Sequence, residues 1–93
     1  MSTDELLKAK LAKYFAMTEK ALSMIDYSSV KSAKARDFIG MAKNYLSDAR
    51  HFEKKGDLLT ALAAVSYAHA WLDAGATLKF FKVDNSADLF TVD

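Results

Sequence analysis

The 93-residue chain contains no cysteine and no proline, and it has only three glycines. The absence of cysteine excludes disulfides, thiolate zinc sites and cysteine nucleophiles. Proline and glycine are the residues that most oppose helix formation. The sequence is instead rich in helix-forming residues, with sixteen alanines and eleven leucines. This composition favours an all-α fold.

Long hydrophobic runs and concentrated charge are also missing. The net charge is +1, with eleven Lys/Arg and seven Asp/Glu in residues 1–55 and two and five in residues 56–93. So weak a basic bias does not indicate a nucleic-acid partner. The longest uncharged run, fifteen residues, is too short to span a bilayer, and the N-terminus lacks a signal-peptide pattern. We expect a cytoplasmic protein with no membrane segment.

Three apolar patterns with spacings of three and four residues predict three helices, at about 4–26, 29–55 and 57–80. Similar lengths and short connections favour an up-down-up antiparallel three-helix bundle over residues 1–82. Residues 83–93 are expected to form a short non-helical C-terminal tail. The predicted core residues are Leu11, Phe15, Phe38, Tyr45, Leu62, Val65 and Leu72.

Polar residues mark the two connections between these helices. Ser28 or Ser29 can cap the second helix. Gly56 suits the left-handed conformation that ends a helix, and Asp57 suits the first position of the next. The sequence therefore predicts a tight hairpin between the second and third helices.

The third helix carries no charge from Leu58 to Leu72. A surface helix normally devotes about half of its circumference to polar and charged residues. We therefore expect this helix to be covered on nearly all sides. It is either the central element of the bundle or half of an interface.

The candidate interaction surface combines this helix with the tail. Aromatic side chains are enriched at binding hot spots. Tyr67 and Trp71 of the third helix either bury against the first helix or face a partner. The apolar end of the tail can fold back onto the bundle or meet a second chain. The candidate surface consists of Tyr67, Trp71, Leu78, Leu89 and Phe90.

Three polar residues, His69, Asp73 and Arg36, are expected to be structural. His69 lies within an apolar pattern, where its ring needs a hydrogen bond to a tyrosine hydroxyl or a backbone carbonyl. A zinc site requires three or four ligands, and no suitable spacing supplies them. Asp73 lies near a helix C-terminus and is expected to pair with Arg36. We predict no catalytic residue, metal or cofactor.

A basic side is formed on the second helix by Arg36, Lys43 and Arg50, at intervals of seven residues, with Lys54 beside them. Phosphate binding is one interpretation. Acidic residues alternate with these cations, and no aromatic platform accompanies them. A solvated helix face is the interpretation that this mixture favours.

The segment from Ser66 to Gly75, Ser-Tyr-Ala-His-Ala-Trp-Leu-Asp-Ala-Gly, resembles archaeal proteins grouped as domain of unknown function 357. The spacing Ala42, Tyr45, Asp48-Ala49, Phe52 and Gly56-Asp57 fits the same family, as does the closing Leu89-Phe90-Thr91-Val92. The chain differs where a glycine is expected to end the third helix and has Lys79-Phe80-Phe81. The resemblance implies an archaeal, cytoplasmic three-helix bundle and carries no activity.

Two functions follow as hypotheses. The first is a non-enzymatic protein–protein interaction or self-association module that uses the third helix and the C-terminal tail. The alternative is binding of nucleic acid or a phosphate ligand through the basic side of the first two helices.

Overall fold

The computed structural model of the protein describes residues 2–83. It confirms the all-α, three-helix bundle. Residues 84–93, which include Leu89 and Phe90, lie outside the described residues, so the predicted tail stays a prediction. The helices are α1 (Thr3–Ser23), α2 (Ala33–Lys54) and α3 (Leu58–Thr77).

Helix α2 begins four residues later than the sequence indicates. Its N-cap is Ser32, whose side-chain oxygen accepts a hydrogen bond from the Ala35 amide at 3.0 Å. Ser28 and Ser29 belong instead to a separate 3₁₀ turn, Tyr27–Ser29. The three serines have the same capping chemistry, so only the path of the connection selects between them.

The hairpin between α2 and α3 forms as predicted. Gly56 adopts a left-handed φ of 80°. Its amide donates to the Glu53 carbonyl, and the Asp57 amide donates to the Phe52 carbonyl, both at 3.0 Å. The Asp57 carboxylate then accepts from the Thr60 amide at 3.2 Å. Gly56 thus ends α2 and Asp57 caps the start of α3, within two residues.

Helix α3 ends with the same type of motif, although the left-handed position is occupied by a residue other than glycine. Lys79 takes a left-handed φ of 61°. Its amide donates to Ala76 at 3.1 Å, and the Phe80 amide donates to Gly75 at 2.9 Å. A non-glycine residue pays roughly 1–2 kcal/mol for this conformation. The closure moves the helix end to Thr77, earlier than the predicted 80.

A two-residue strand pair, absent from the sequence prediction, follows α3. Strand β1 is Ile25–Asp26 and strand β2 is Lys82–Val83; they are antiparallel, with Ile25 opposite Val83. The Lys82 amide also donates to the Ser29 hydroxyl at 2.8 Å. This pairing fixes the chain after α3 against the connection between α1 and α2.

Helix α3 packs against both other helices, and most closely against α2. Of the predicted core, Leu11, Phe15, Val65 and Leu72 are buried. Phe38, Tyr45 and Leu62 are only partly buried, so their assignment to the core is corrected. The reason is that alanines occupy the closest approach of α2 and α3 and leave larger side chains at its edges; the buried alanines are Ala35, Ala42, Ala49, Ala61, Ala64 and Ala68.

Within the described residues, α3 holds more buried residues than α1 or α2, but these two helices alone do not cover it on nearly all sides. Cover by an interface stays a prediction. Leu59 is 71% exposed, Tyr67 61% and Leu78 57%. Two helices cover only about half of the circumference of a third. The remaining side of α3 carries apolar and small residues where charged ones are usual.

The connection after β1 predicts a pH effect. The Asp26 carboxylate accepts hydrogen bonds from the Ser28 hydroxyl at 2.6 Å and the Ser28 amide at 3.1 Å, and these bonds lower the pKa of Asp26. A carboxyl whose pKa is lowered by folding stabilises the fold above its unfolded pKa, and this contribution is lost as pH falls through the folded pKa. Acid titrations of stability should therefore fall less steeply below pH 4 for Asp26→Asn than for the parent chain. Parallel curves would contradict this assignment.

Candidate functional site

The outward side of α3 presents a continuous uncharged surface, which we name the outer stripe. It extends over about 29 Å, the length of nineteen residue steps at about 1.5 Å each. Asp73 and His69, the acidic and imidazole side chains of α3, lie toward α1 instead. The outer stripe consists of Leu59, Ala63, Ser66, Tyr67, Ala70, Ala74 and Leu78.

A groove of about 410 Å³ adjoins the outer stripe on the side of α2, and we name it the aromatic groove. Tyr45 and Tyr67 stack across it with ring centroids 5.4 Å apart and planes at 26°. Phe38 meets the Trp71 ring edge-on, at 4.9 Å between centroids. The groove is lined by Phe38, Tyr45, Tyr67, Ala70, Trp71, Ala74 and Leu78.

The structure brings together three of the five residues predicted to form an interaction surface. Tyr67, Trp71 and Leu78 line the aromatic groove, and Trp71 is the most covered of them. Leu89 and Phe90, the two predicted tail residues, lie outside the described residues. Sequence reasoning missed the contribution of α2, because Phe38 and Tyr45 belong to the same apolar pattern as the buried alanines.

His69 links α1 to α3 through side-chain contacts. Its Nδ1 lies 3.1 Å from the hydroxyl of Thr18, a fully buried residue of α1, and its Nε2 lies 3.8 Å from the Asp73 carboxylate. A threonine hydroxyl takes the place of the tyrosine or carbonyl partner that the sequence suggested. This arrangement satisfies polar groups inside the helix contact.

Arg36 lies on another side of α2 than Ala35, and the expected ion pair between Arg36 and Asp73 stays a prediction. Arg36 follows Ala35, which packs against α3, and one residue rotates a helical side chain by about 100°. It therefore reaches a groove of about 380 Å³ between α2 and the connection after β1. We name this the Tyr27 groove, lined by Tyr27, Val30, Arg36, Ile39, Gly40 and Lys43.

The rest of the basic side is partly neutralised. The Arg50 guanidinium forms ion pairs with Glu19 of α1 and with Glu53, and it also lies 3.8 Å from the centroid of the Phe15 ring. Arg50 thereby joins α2 to α1 over the edge of the core. On the basic side, Arg50 therefore makes structural contacts. Arg36 and Lys43 line a groove that faces the solvent.

Residues 2–83 contain neither a cluster of metal-ligating side chains nor a membrane-spanning helix. No three His, Asp or Glu side chains in this range lie close enough to hold a metal ion together. No helix in the same range is both long enough and apolar enough to cross a bilayer.

Comparison with known proteins places the chain in a family. A family model described as "protein of unknown function (DUF357)" matches residues 13–81. The chain belongs to the DUF357 family. No curated protein and no solved structure gave a match.

The matched range of the DUF357 domain contains both grooves and about half of α1. Within this range, the side chains of Ser66–Gly75 face two different parts of the bundle. Tyr67 and Trp71 face the aromatic groove, while His69 and Asp73 face α1. Gly75, at the end of the segment, lies against the Phe81 ring. The segment thus contacts both neighbouring helices and the end of the described chain.

Proposed function

We propose that this DUF357 domain is a non-enzymatic interaction module that self-associates through the outer stripe of α3. The observation that carries the proposal is an exposed helix side about 29 Å long without a charged residue. The outward sides of α1 and α2 carry charges such as Lys13 and Asp37. Contiguous exposed apolar surface of this kind commonly marks a protein interface.

A second copy of the chain is the partner that the order of residues favours. The outer stripe has a leucine at each end, and between them it has small residues and one large residue, Tyr67. In a two-fold antiparallel pairing, each end meets the opposite end of the second copy, and no like charges are brought together. The pairs formed this way are Leu59 with Leu78, Ala63 with Ala74, and Tyr67 with Ala70.

The size of the outer stripe sets the expected strength of the pairing. A stripe about 30 Å long and about 10 Å wide offers roughly 300 Å² per chain, whereas standard interfaces bury about 800 Å² per partner. At the centre the Tyr67 ring of each copy packs over the small Ala70 of the other, but the total area is limited. We therefore expect a weak dimer that dissociates on dilution.

Replacing Ala70 by glutamate should abolish this dimer. The two-fold pairing would bury two carboxylates without partners, at a cost of several kcal/mol. Sedimentation equilibrium over about 1 μM to 1 mM should show the parent chain approaching twice its 10.3 kDa mass. The Ala70→Glu variant should stay at the monomer mass throughout.

Ala16→Glu provides the matched control, because Ala16 is also an exposed alanine in a helix but lies on α1. This variant should dimerise like the parent chain. If the parent chain is monomeric at every concentration, or if both variants dissociate equally, the proposal is wrong.

The C-terminal tail is the competing occupant of the outer stripe. Ten residues follow Val83, and an extended chain of that length reaches about 33 Å. If Leu89 and Phe90 cover the stripe within one chain, deleting residues 86–93 should convert a monomer into a dimer. If the tail instead extends the dimer interface, the same deletion should weaken dimerisation.

The alternative function, binding of nucleic acid or a phosphate ligand along the basic side, gains no support from Arg50, whose guanidinium is paired with two glutamates. The archaeal origin and cytoplasmic location implied by the family resemblance stay predictions.

A further inference from the structure

The Tyr27 groove has a floor formed by a glycine in the middle of a helix. A Cβ atom added to Gly40 would have no other atom within 4 Å, so the space above it is open. Glycine inside a helix costs about 1 kcal/mol relative to alanine. The groove, about 380 Å³ in volume, falls within the range of small-molecule sites.

Two cations flank this floor. Arg36 is four residues before Gly40 and Lys43 is three residues after it, so all three share one side of α2. No acidic side chain lines the groove. Arg50 lies seven residues, or about two helical turns, beyond Lys43 and is neutralised by glutamates, whereas the groove cations line an open groove.

The beginning of α2 adds positive potential to the same end of the groove. Helix N-termini favour anions, yet the first turn of α2 contains no acidic residue and is followed directly by Arg36, with Lys34 inside it. This arrangement disfavours the helix start when no anion is present. An anion held beside Arg36, about one turn from the helix start, would offset it.

The opposite wall is aromatic and apolar. Tyr27 is 48% exposed, and its hydroxyl donates to the Leu22 carbonyl at 3.1 Å, which fixes the orientation of the ring. Lys43 Nζ lies 5.6 Å from the centroid of that ring. Val30 and Ile39 complete the wall. A ligand that fits has a phosphate for the cations and a flat ring for Tyr27.

We propose that the Tyr27 groove binds a nucleoside monophosphate, with the phosphate between Arg36 and Lys43 and the base against Tyr27. A single nucleotide fits better than a nucleic-acid strand, because the basic side is neutralised at Arg50 and offers no continued path for further phosphates. The groove lies on a different side of α2 from the aromatic groove, so this binding does not depend on dimerisation through α3.

The test is a titration of the isotope-labelled full chain with adenosine 5′-monophosphate at about 150 mM salt. Changes in the backbone amide chemical shifts are measured by NMR. Shifts should concentrate at Tyr27, Gly40 and Lys43. Adenosine and inorganic phosphate, each supplying half of the contacts, should bind at least about tenfold more weakly than the nucleotide. A ribo-oligonucleotide should bind no more tightly per site than the mononucleotide.

Gly40→Leu tests the groove without endangering the fold, because the added side chain meets open space and leucine favours the helix more than glycine. It should reduce nucleotide affinity at least tenfold. Ser47→Leu is the matched control, since Ser47 is exposed on the same side of α2 seven residues on and lies outside the groove. Its affinity should equal that of the parent chain, and Arg36→Ala should weaken binding about tenfold.

Four results would overturn the proposal. The first is the absence of shifts at millimolar nucleotide. The second is shifts of equal size for phosphate alone, which would indicate only general attraction to surface cations. The third is tighter binding of the oligonucleotide, which would assign the surface to a strand. Equal affinity of the Gly40→Leu and Ser47→Leu variants would likewise place the ligand elsewhere.

Discussion

Phe81→Ala should lower the free energy of unfolding by about 3–5 kcal/mol, the range for removing a buried phenylalanine. Phe81 is 3% exposed and lies in a core cluster with Ile25, Leu72 and Ala76. Its ring closes the end of the bundle where α3, β1 and β2 meet. Chemical denaturation followed by circular dichroism measures the change.

Leu78→Ala is the control, because Leu78 is an apolar residue three positions earlier and 57% exposed. Its removal should cost less than about 1 kcal/mol in a monomer. Equal losses for the two variants would show that Phe81 does not occupy the position described.

Gly75 allows a second check of the same contact. An alanine Cβ at this position would lie 2.7 Å from the Phe81 Cζ, closer than packed atoms approach. Gly75→Ala should therefore destabilise the parent chain, where crowding of about 1–3 kcal/mol exceeds the helix gain of about 1 kcal/mol. In the Phe81→Ala background the crowding disappears, and the same substitution should become stabilising. Identical effects in both backgrounds would contradict the contact.

Local signals made the helix count and the Gly56 hairpin predictable. Capping side chains and a glycine stop act within four residues, so they are visible in the sequence. The strand pair joins positions 25–26 to 82–83 and has no comparable local signal. It was missed, as was the Tyr27 groove that the same connection forms with α2.

The sidedness of α3 could not be read from its sequence. Hydrophobic periodicity identifies a buried face only when the opposite face is polar. Alanine and leucine occupy all sides of α3, so the spacing of three and four residues fits several faces equally. Leu62 was placed in the core with Leu72 for this reason, although only Leu72 is fully buried.

Leu72→Ala is the substitution that separates these faces, with an expected loss of about 2–5 kcal/mol in unfolding free energy. Leu72 is 0% exposed and packs with Ala21, Ile39 and Phe81, and therefore contacts α1, α2 and the segment before β2. A cavity at this position cannot be filled by movement of one helix alone. Urea denaturation at a fixed low protein concentration gives the monomer value.

Leu59→Ala removes the same side chain from the same helix at a position that is 71% exposed. At low concentration it should change the unfolding free energy by less than about 0.5 kcal/mol. At high concentration it should weaken dimerisation, because Leu59 ends the outer stripe. A large loss of monomer stability would mean that part of the chain covers Leu59, since only burial makes the removal of a leucine side chain costly. The two leucines together therefore distinguish the face that folds the domain from the face that is free to bind.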